Sequence, residues 1–261
     1  MRALDIAATG MDAQQTRVET ISNNLANMST TAYSPRRAEF ADLHYQTVRA
    51  PGAINASTGE ILPTGLQLGL GVRTAAVSIE RLPGAVRQTG GELDIAIDGA
   101  GFLEIVLPSG VSAYTRDGSL KRSGEGLIVT SEGFAVEPEI TIPEETVSVT
   151  ITAEGEVLAT FNDRPDQESL GQLSIVTFVN DRGLDAIGGN LFRETAASGP
   201  PTTGDAGQDG RGLFRQGFLE ESAVDAVREI TELIEAQRAY EMNAKVVTAV
   251  DQMLGATVQI R

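Results

Sequence analysis

The side chains with the most obvious chemical potential are His44, the pair Asp94 and Asp98, and the glycines of Gly99-Ala100-Gly101. A zinc site needs several imidazole, thiolate or carboxylate ligands around one ion, and a Ser-His-Asp triad needs a histidine between nucleophile and acid. His44 is the only histidine and no cysteine is present, so it reads as a polar surface or packing residue. Asp94 and Asp98 can share a strand face as paired carboxylates or part of a Ca²⁺ site, but no EF-hand spacing surrounds them. Gly99-Ala100-Gly101 begins like a dinucleotide-binding loop, yet Glu104 stands where the third glycine belongs and a strand follows where a helix is needed. No glycine-rich run ends in Lys-Ser or Lys-Thr, so no phosphate-binding loop is present. Asn27-Met28-Ser29 and Asn55-Ala56-Ser57 fit the glycosylation sequon, a pattern too short to carry weight. We therefore assign no catalytic, cofactor-binding or metal residue, and expect a protein that is not an enzyme.

The periodic segments lie at the two ends. From Ser222 to Arg261, Ile230, Leu233, Tyr240, Ala244, Val247, Leu254 and Val258 recur at steps that place them along one side of a helix. Ser222 reads as its N-cap with Asp225 completing a capping box, and Glu220 and Glu221 stand where the helix dipole favours negative charge. Glu241 and Lys245 form an i,i+4 pattern, while Gly255 predicts a frayed or closely packed last turn. From Leu4 to Met28, Leu4, Met11, Val18 and Leu25 are seven apart, with Ala7, Gln14, Ile21 and Met28 as the alternating set of a heptad seam. Gly10 is a weak point inside it, and Ser29-Thr30-Thr31 followed by Pro35 marks its end. Isolated helices are marginal in water, so both ends must pack on something: on each other to close one domain, or on other copies.

Between them the chain reads as β structure. Residues 31–72 form an extended stretch that becomes rich in Pro, Gly, Ala and Thr after Thr47. From Arg73 apolar residues alternate, with Ala75, Val77 and Ile79 on one face and Leu93, Ile95 and Ile97 on another. Short strands follow over 102–107, 111–116, 127–130, 134–136, 147–151, 157–161 and 173–179, with turns at Pro108 to Gly110 and Gly124 to Gly126 and a hairpin signal at Asp117-Gly118. The predicted class is α+β: residues 1–30 with 222–261 as a helical domain, 31–72 as an extended linker, 73–211 as a β-rich domain and 212–221 as a return linker.

Composition narrows the partners. The chain has 28 Gly but only 8 Phe, 4 Tyr and no Trp, so its core is aliphatic with many turns. A formal net charge of -16 argues against nucleic acid or anionic membrane, both of which reward clustered positive charge. Identical copies also repel, so a self-assembling protein must turn its acids to solvent or pair them. No interrupted-free apolar stretch resembles a cleaved signal peptide, and none approaches a membrane span.

With helical ends and a β middle in view, the sequence resembles the bacterial flagellar rod and hook family, and within it the distal rod branch. The matching residues near the start are Gly10, Asp12 to Gln15, Ile21, Asn23-Asn24-Leu25-Ala26-Asn27, Ser29-Thr30 and Ala32-Tyr33. In the middle they are Asp94-Ile95-Ala96-Ile97, Gly101-Phe102 and Tyr114-Thr115-Arg116-Asp117-Gly118. Toward the end they are Leu219-Glu220, Ser222, Gln237-Arg238-Ala239-Tyr240-Glu241, Asn243, Lys245 and Asp251-Gln252-Met253-Leu254. Residues 45–47, 49–52 and 62–71 are similar to an insertion of the distal rod branch. Ala223 stands where the family usually has Asn, and Pro35 falls in a stretch that is usually basic.

The resemblance implies a coaxial pair of terminal helices packed into an inner tube around an export channel, a helical homo-oligomer that transmits torque from motor to hook. It implies that Leu4, Met11, Val18, Ile21 and Leu25 meet Ile230, Leu233, Tyr240, Val247 and Leu254 in that tube, and that residues 47–71 add contacts between subunits. Implied partners are other copies of the chain, proximal rod proteins, the hook protein, the peptidoglycan and outer-membrane ring proteins and the flagellar export apparatus. Nucleic acid and membrane insertion are not implied, no cofactor is, and export proceeds without a cleaved signal peptide to a rod spanning the periplasm. Rival readings are a proximal rod or hook protein of the same family, a secreted β-domain enzyme with dimerising ends, and a carbohydrate-binding module, which the lack of Trp disfavours.

Overall fold

The structure is a computed structural model that describes residues 2–50, 64–162, 164 and 167–259. It is α+β, with helices α1 (Arg2–Ala26) and α2 (Ala226–Gln259) at the two ends and strands between. The chain forms two compact units, one from α1, the described part of 36–79 and α2, the other from 27–35 and 80–224.

In the helical unit, Arg36–Asp42 and Val72–Ile79 pair antiparallel from Arg36↔Ile79 to Asp42↔Val72, with a bulge between Glu39 and Phe40. A second ribbon pairs Tyr45–Arg49 with Leu66–Gly69. Two-stranded ribbons are marginal alone. The first is fastened to α1, where the Thr9 hydroxyl accepts the Val72 N–H at 3.3 Å and Asn24 bonds the backbone of Arg36. Residues 51–63 of the expected insertion lie outside the described residues.

Helix α2 begins one turn later than expected. Asp225 is its N-cap, with Oδ1 accepting the N–H groups of Val227 at 3.0 Å and Arg228 at 3.3 Å. Ser222 instead accepts the N–H of Val224 at 3.4 Å outside the helix. Both residue types cap well; the difference is that residues up to Glu220 are held in a strand, Phe218–Glu220 against Val86–Gln88. Glu220 therefore serves the β-rich unit and not the helix dipole.

The β-rich unit is built around a seven-stranded antiparallel sheet. Its order is Asp185–Gly188, Leu191–Arg193, Ser112–Thr115, Leu103–Val106, Ala135–Glu137, Ile128–Val129 and Lys121–Arg122. A three-stranded sheet, Thr146–Ile151, Glu156–Phe161 and Glu168–Gln172, and several two-stranded pairs complete it. The core is aliphatic, with Ile95, Leu103, Ile105, Val136, Val157 and Ile175 fully buried and Phe214 packed among them. Burial of such side chains contributes about 1.5 to 3 kcal/mol each.

The Asp117-Gly118 signal does not make a hairpin. The strand Ser112–Thr115 pairs with Leu103–Val106 and Leu191–Arg193, and the chain leaves it by a loop in which Ser119 N–H bonds the Asp117 carboxylate at 3.0 Å. Gly118 lies against the neighbouring backbone: a Cβ there would stand 1.7 Å from the Ile95 carbonyl oxygen. The glycine is required by close approach and not by a hairpin turn.

Next to this loop is the main polar cluster of the unit. Arg116 Nε donates to Glu220 Oε2 at 2.9 Å, and its other nitrogens donate to the carbonyls of Gly99, Gly101 and Ile97 at 2.9 to 3.1 Å. Glu220 Oε1 accepts the Gly84 N–H at 2.9 Å, and the Glu220 carbonyl accepts the Ala32 N–H at 2.8 Å. Both side chains are nearly buried, at 10% and 6% exposure. Burying two ions is costly unless each is fully hydrogen-bonded, and here the ions bond each other, the carbonyls of Ile97, Gly99 and Gly101, and the Gly84 N–H. Removing one partner leaves the other buried and uncompensated, so Arg116→Met should destabilise the β-rich unit by about 3 to 5 kcal/mol in urea titrations followed by circular dichroism. An effect under about 1 kcal/mol would show that the cluster is dispensable.

Tyr114 is buried edge-on against Phe178, with ring centroids 4.8 Å apart. Burial, aided by the negative charges of Glu104 and Glu194, pushes its hydroxyl up to about 12, from about 10 in an unfolded chain. Between those values the unfolded chain has lost a proton that the folded one keeps, so stability is full below about pH 10 and falls toward pH 12. Urea midpoints at rising alkaline pH should show this slope, and Tyr114→Phe should flatten it.

Candidate assembly surface on the helical unit

The residues with apparent chemical potential are dispersed. His44 is exposed between two strands. The Asp94 carboxylate accepts the Thr89 hydroxyl at 2.5 Å, and Asp98 pairs with Arg215 at 3.5 Å, so each acid has its own partner. Gly99 and Gly101 present carbonyls to Arg116. Among the described residues no group of three or more His, Cys, Asp or Glu side chains is placed to share a metal ion. What the chain displays instead is a pair of helices with much apolar surface.

The helices run antiparallel. Asn24 Nδ2 donates to Glu229 at 3.2 and 3.3 Å, Arg17 pairs with Glu232 at 3.4 Å and Glu235 at 3.8 Å, and Gly10 faces Asn243. Gly10, Arg17 and Asn24 are seven apart, so one polar lane of α1 meets α2 along its length. Asn24 is buried at 2% exposure, and its amide bonds the N–H and carbonyl of Arg36 at 2.9 and 2.8 Å as well as Glu229. One side chain thus fixes α1 against both the ribbon and α2. The lane was legible as a seven-residue repeat, but an apolar template passes over it. Gly10, a weak point by propensity alone, lies against Asn243 of α2.

The expected packing residues divide by burial. Ile21 is buried and Leu4, Met11, Val18, Leu25, Leu233 and Val247 are partly covered. Ile230, Tyr240 and Leu254 are exposed at 46%, 43% and 38%. Of the family-motif residues, Asn24 is buried, Leu25, Asn27 and Ala239 are intermediate, and Asn23, Ala26, Gln237, Arg238, Tyr240 and Glu241 are exposed. Further large apolar residues of α2 stand in solvent, among them Val227, Ile234, Met242 and Val246. Continuing the antiparallel register places Leu254 beyond the first described turn of α1, and a Cβ on Gly255 would meet open space. Gly255 is therefore not a point of close packing. Glu241 and Lys245 form no ion pair among the described residues; Arg228 and Glu232 make the i,i+4 bridge at 3.1 Å.

Between the helices lies a groove of about 510 Å³ lined by Gln15, Val18, Glu19, Gln237, Tyr240 and Glu241. On the second ribbon Tyr45, Val48, Leu66 and Leu68 are exposed. The Tyr45 hydroxyl bonds the Asp42 carboxylate, which raises its pKa above the usual value. An arrangement of this kind, exposed and largely apolar, is suited to binding another surface.

Comparison with known proteins places this geometry in context. Residues 4–33 match the family described as flagella basal body rod protein, residues 96–159 the flagellar hook protein FlgE/F/G D1 domain, and residues 215–260 the flagellar basal body rod FlgEFG protein C-terminal region. The flagellar basal-body rod protein FlgG of Caulobacter vibrioides is 49% identical over 261 residues, covering 100% of both chains. That of Agrobacterium fabrum is 48% identical over 97% of each chain, and that of Borreliella burgdorferi 46% identical over 98% of this chain and 97% of its own.

The close approach at Gly10 is testable. A Cβ there would stand 2.9 Å from Asn243 Nδ2, an atom at the end of a side chain that can shift. Gly10→Ala should be nearly neutral, its helix-propensity gain of about 1 kcal/mol offset by that shift. Gly10→Leu should force the helices apart at about 1 to 3 kcal/mol and speed amide exchange in α1. Unchanged exchange in the leucine variant would contradict the seam described.

Proposed function

The chain belongs to the flagellar basal-body rod proteins, among those named FlgG, and from this premise we propose that its two terminal helices form the wall of a tube assembled from many copies. The protein is a structural subunit of the flagellar basal body and self-assembles with its family into axial structures. Within that role we assign it to the distal rod, where it transmits torque from motor to hook and encloses the export channel. Its work is mechanical, not catalytic.

One observation carries this reading. Helix α2 bears large apolar side chains on sides that α1 leaves open, including Ile230, Ile234, Tyr240, Met242 and Val246. Large apolar side chains left open on several sides of a helix call for a partner that covers them. One neighbour within the chain cannot surround it, whereas a ring of copies can. Heterologous contacts that do not close on themselves then extend into a helical filament.

In this proposal Leu4, Met11, Val18, Ile21, Leu25, Ile230, Leu233, Tyr240, Val247 and Leu254 pack within and between copies. The proximal rod proteins and the hook protein continue the tube, the ring proteins of the peptidoglycan layer and outer membrane surround it, and the flagellar export apparatus delivers the chain into the periplasm. A seam held by polar and small side chains suits passage in an unfolded state, because it makes a pairing that opens readily. Among the described residues no helix is long and apolar enough to cross a membrane.

Leu254→Asp puts a charge on the uncovered end of α2, where the isolated chain has little to lose. We expect unchanged circular dichroism and monomer stability within about 0.5 kcal/mol, with filament formation abolished in sedimentation and no rods in cells. Normal rods from this variant would remove Leu254 from the packing surface.

A further inference from the structure

Midway along α2, its exposed apolar surface includes two unlike patches. One is the groove, where Tyr240 and Gln237 face Val18, Gln15 and Glu19 of α1. The other is a ridge made by Met242 and Val246, both exposed, at 61% and 46%. At about 100° per residue the ridge lies some 120 to 160° around the helix from Tyr240, on the opposite flank. A single patch that buried itself against its own copy would give a closed two-fold dimer. A concave patch and a convex patch on opposite flanks give a head-to-tail repeat.

Charge supports the match. The groove is edged by Glu19 and Glu241, and among the described residues Glu19 engages only the neutral amide of Gln15, at 3.0 Å. The ridge is edged by Arg238 and Lys245, which stand four residues before and three after Met242 and so on its side of the helix. Both are exposed, and neither has an acidic partner among the described residues. In a chain of net charge -16, two uncommitted cations beside an apolar ridge give a natural counterpart to an acidic groove edge. Methionine is unbranched and polarizable, and it fills irregular apolar gaps that a stiffer side chain would not.

We propose that Met242 and Val246 of one copy seat in the groove lined by Val18 and Tyr240 of the next, with Arg238 and Lys245 set against Glu19 and Glu241 across the joint. The proposal rests on the self-assembly reading above and names the surfaces through which it proceeds.

The chain has no cysteine, so engineered thiols report without background. In the double variant Tyr240→Cys/Val246→Cys the two thiols lie on opposite flanks of one helix and cannot reach each other within a chain. Oxidising the assembled full-length variant with copper phenanthroline should give a ladder of covalent multimers, trimer and beyond, and each single variant should stay monomeric under denaturing conditions. Filaments that sediment normally but give no ladder would overturn the groove-and-ridge joint and leave self-assembly standing. Covalent dimers from Tyr240→Cys alone would overturn it too, because they require groove to meet groove. An unmodified chain that stays monomeric at every concentration would overturn the self-assembly reading, and this joint with it.

Discussion

Helices α1 and α2 meet through Gly10, Arg17 and Asn24, and most of the large apolar side chains of α2 are left exposed. A seam of leucines would have used up this surface within the chain. The amide of Asn24 bonds Arg36 and Glu229 together, so it sets register through direction, which an apolar contact of similar size cannot do. The helical unit therefore has a defined internal geometry and an unfinished exterior. Apolar surface of this extent marks an interaction site, and in the proposed rod further copies cover it.

The β-rich unit solves a different problem. Its aliphatic core could be satisfied by several arrangements of short strands, many of them only two to four residues long. The Arg116–Glu220 pair narrows the choice, because its bonds reach Gly84, Ile97, Gly99 and Gly101 and cannot be satisfied with those segments elsewhere. Buried ion pairs are weak sources of net stability but strong penalties against misplacement. In the proposed role, under torque, a single arrangement matters more than a few additional kcal/mol.

Electrostatics complete the picture at the level of assembly. Most of the excess acid is carried outside the core, and among the described residues Glu220 is the one buried carboxylate, matched by Arg116. Copies with this much negative charge can associate only where the joint itself is locally neutral or complementary. The basic residues on α2 lie among its exposed apolar side chains, where such a joint would form.

The sequence by itself determined the class of fold, the two helices with approximate limits, most strands of the middle and the family. These follow from periodicity and residue type, which act over a few neighbouring positions. It also held the Gly10, Arg17, Asn24 repeat and the Arg116 and Glu220 motifs in plain view, but without their partners. Only the tertiary structure decided that Asn24 bonds Glu229, 205 residues away, and that Arg116 bonds Glu220, 104 residues away. The same holds for the cap, which passed from Ser222 to Asp225 because a strand holds the chain up to Glu220, and for Asp117-Gly118, where close packing on Ile95 replaced a hairpin. Each outcome depends on which distant backbone groups are left needing a partner. Local propensity carries no information about that, because the need arises only once the chain has been brought together.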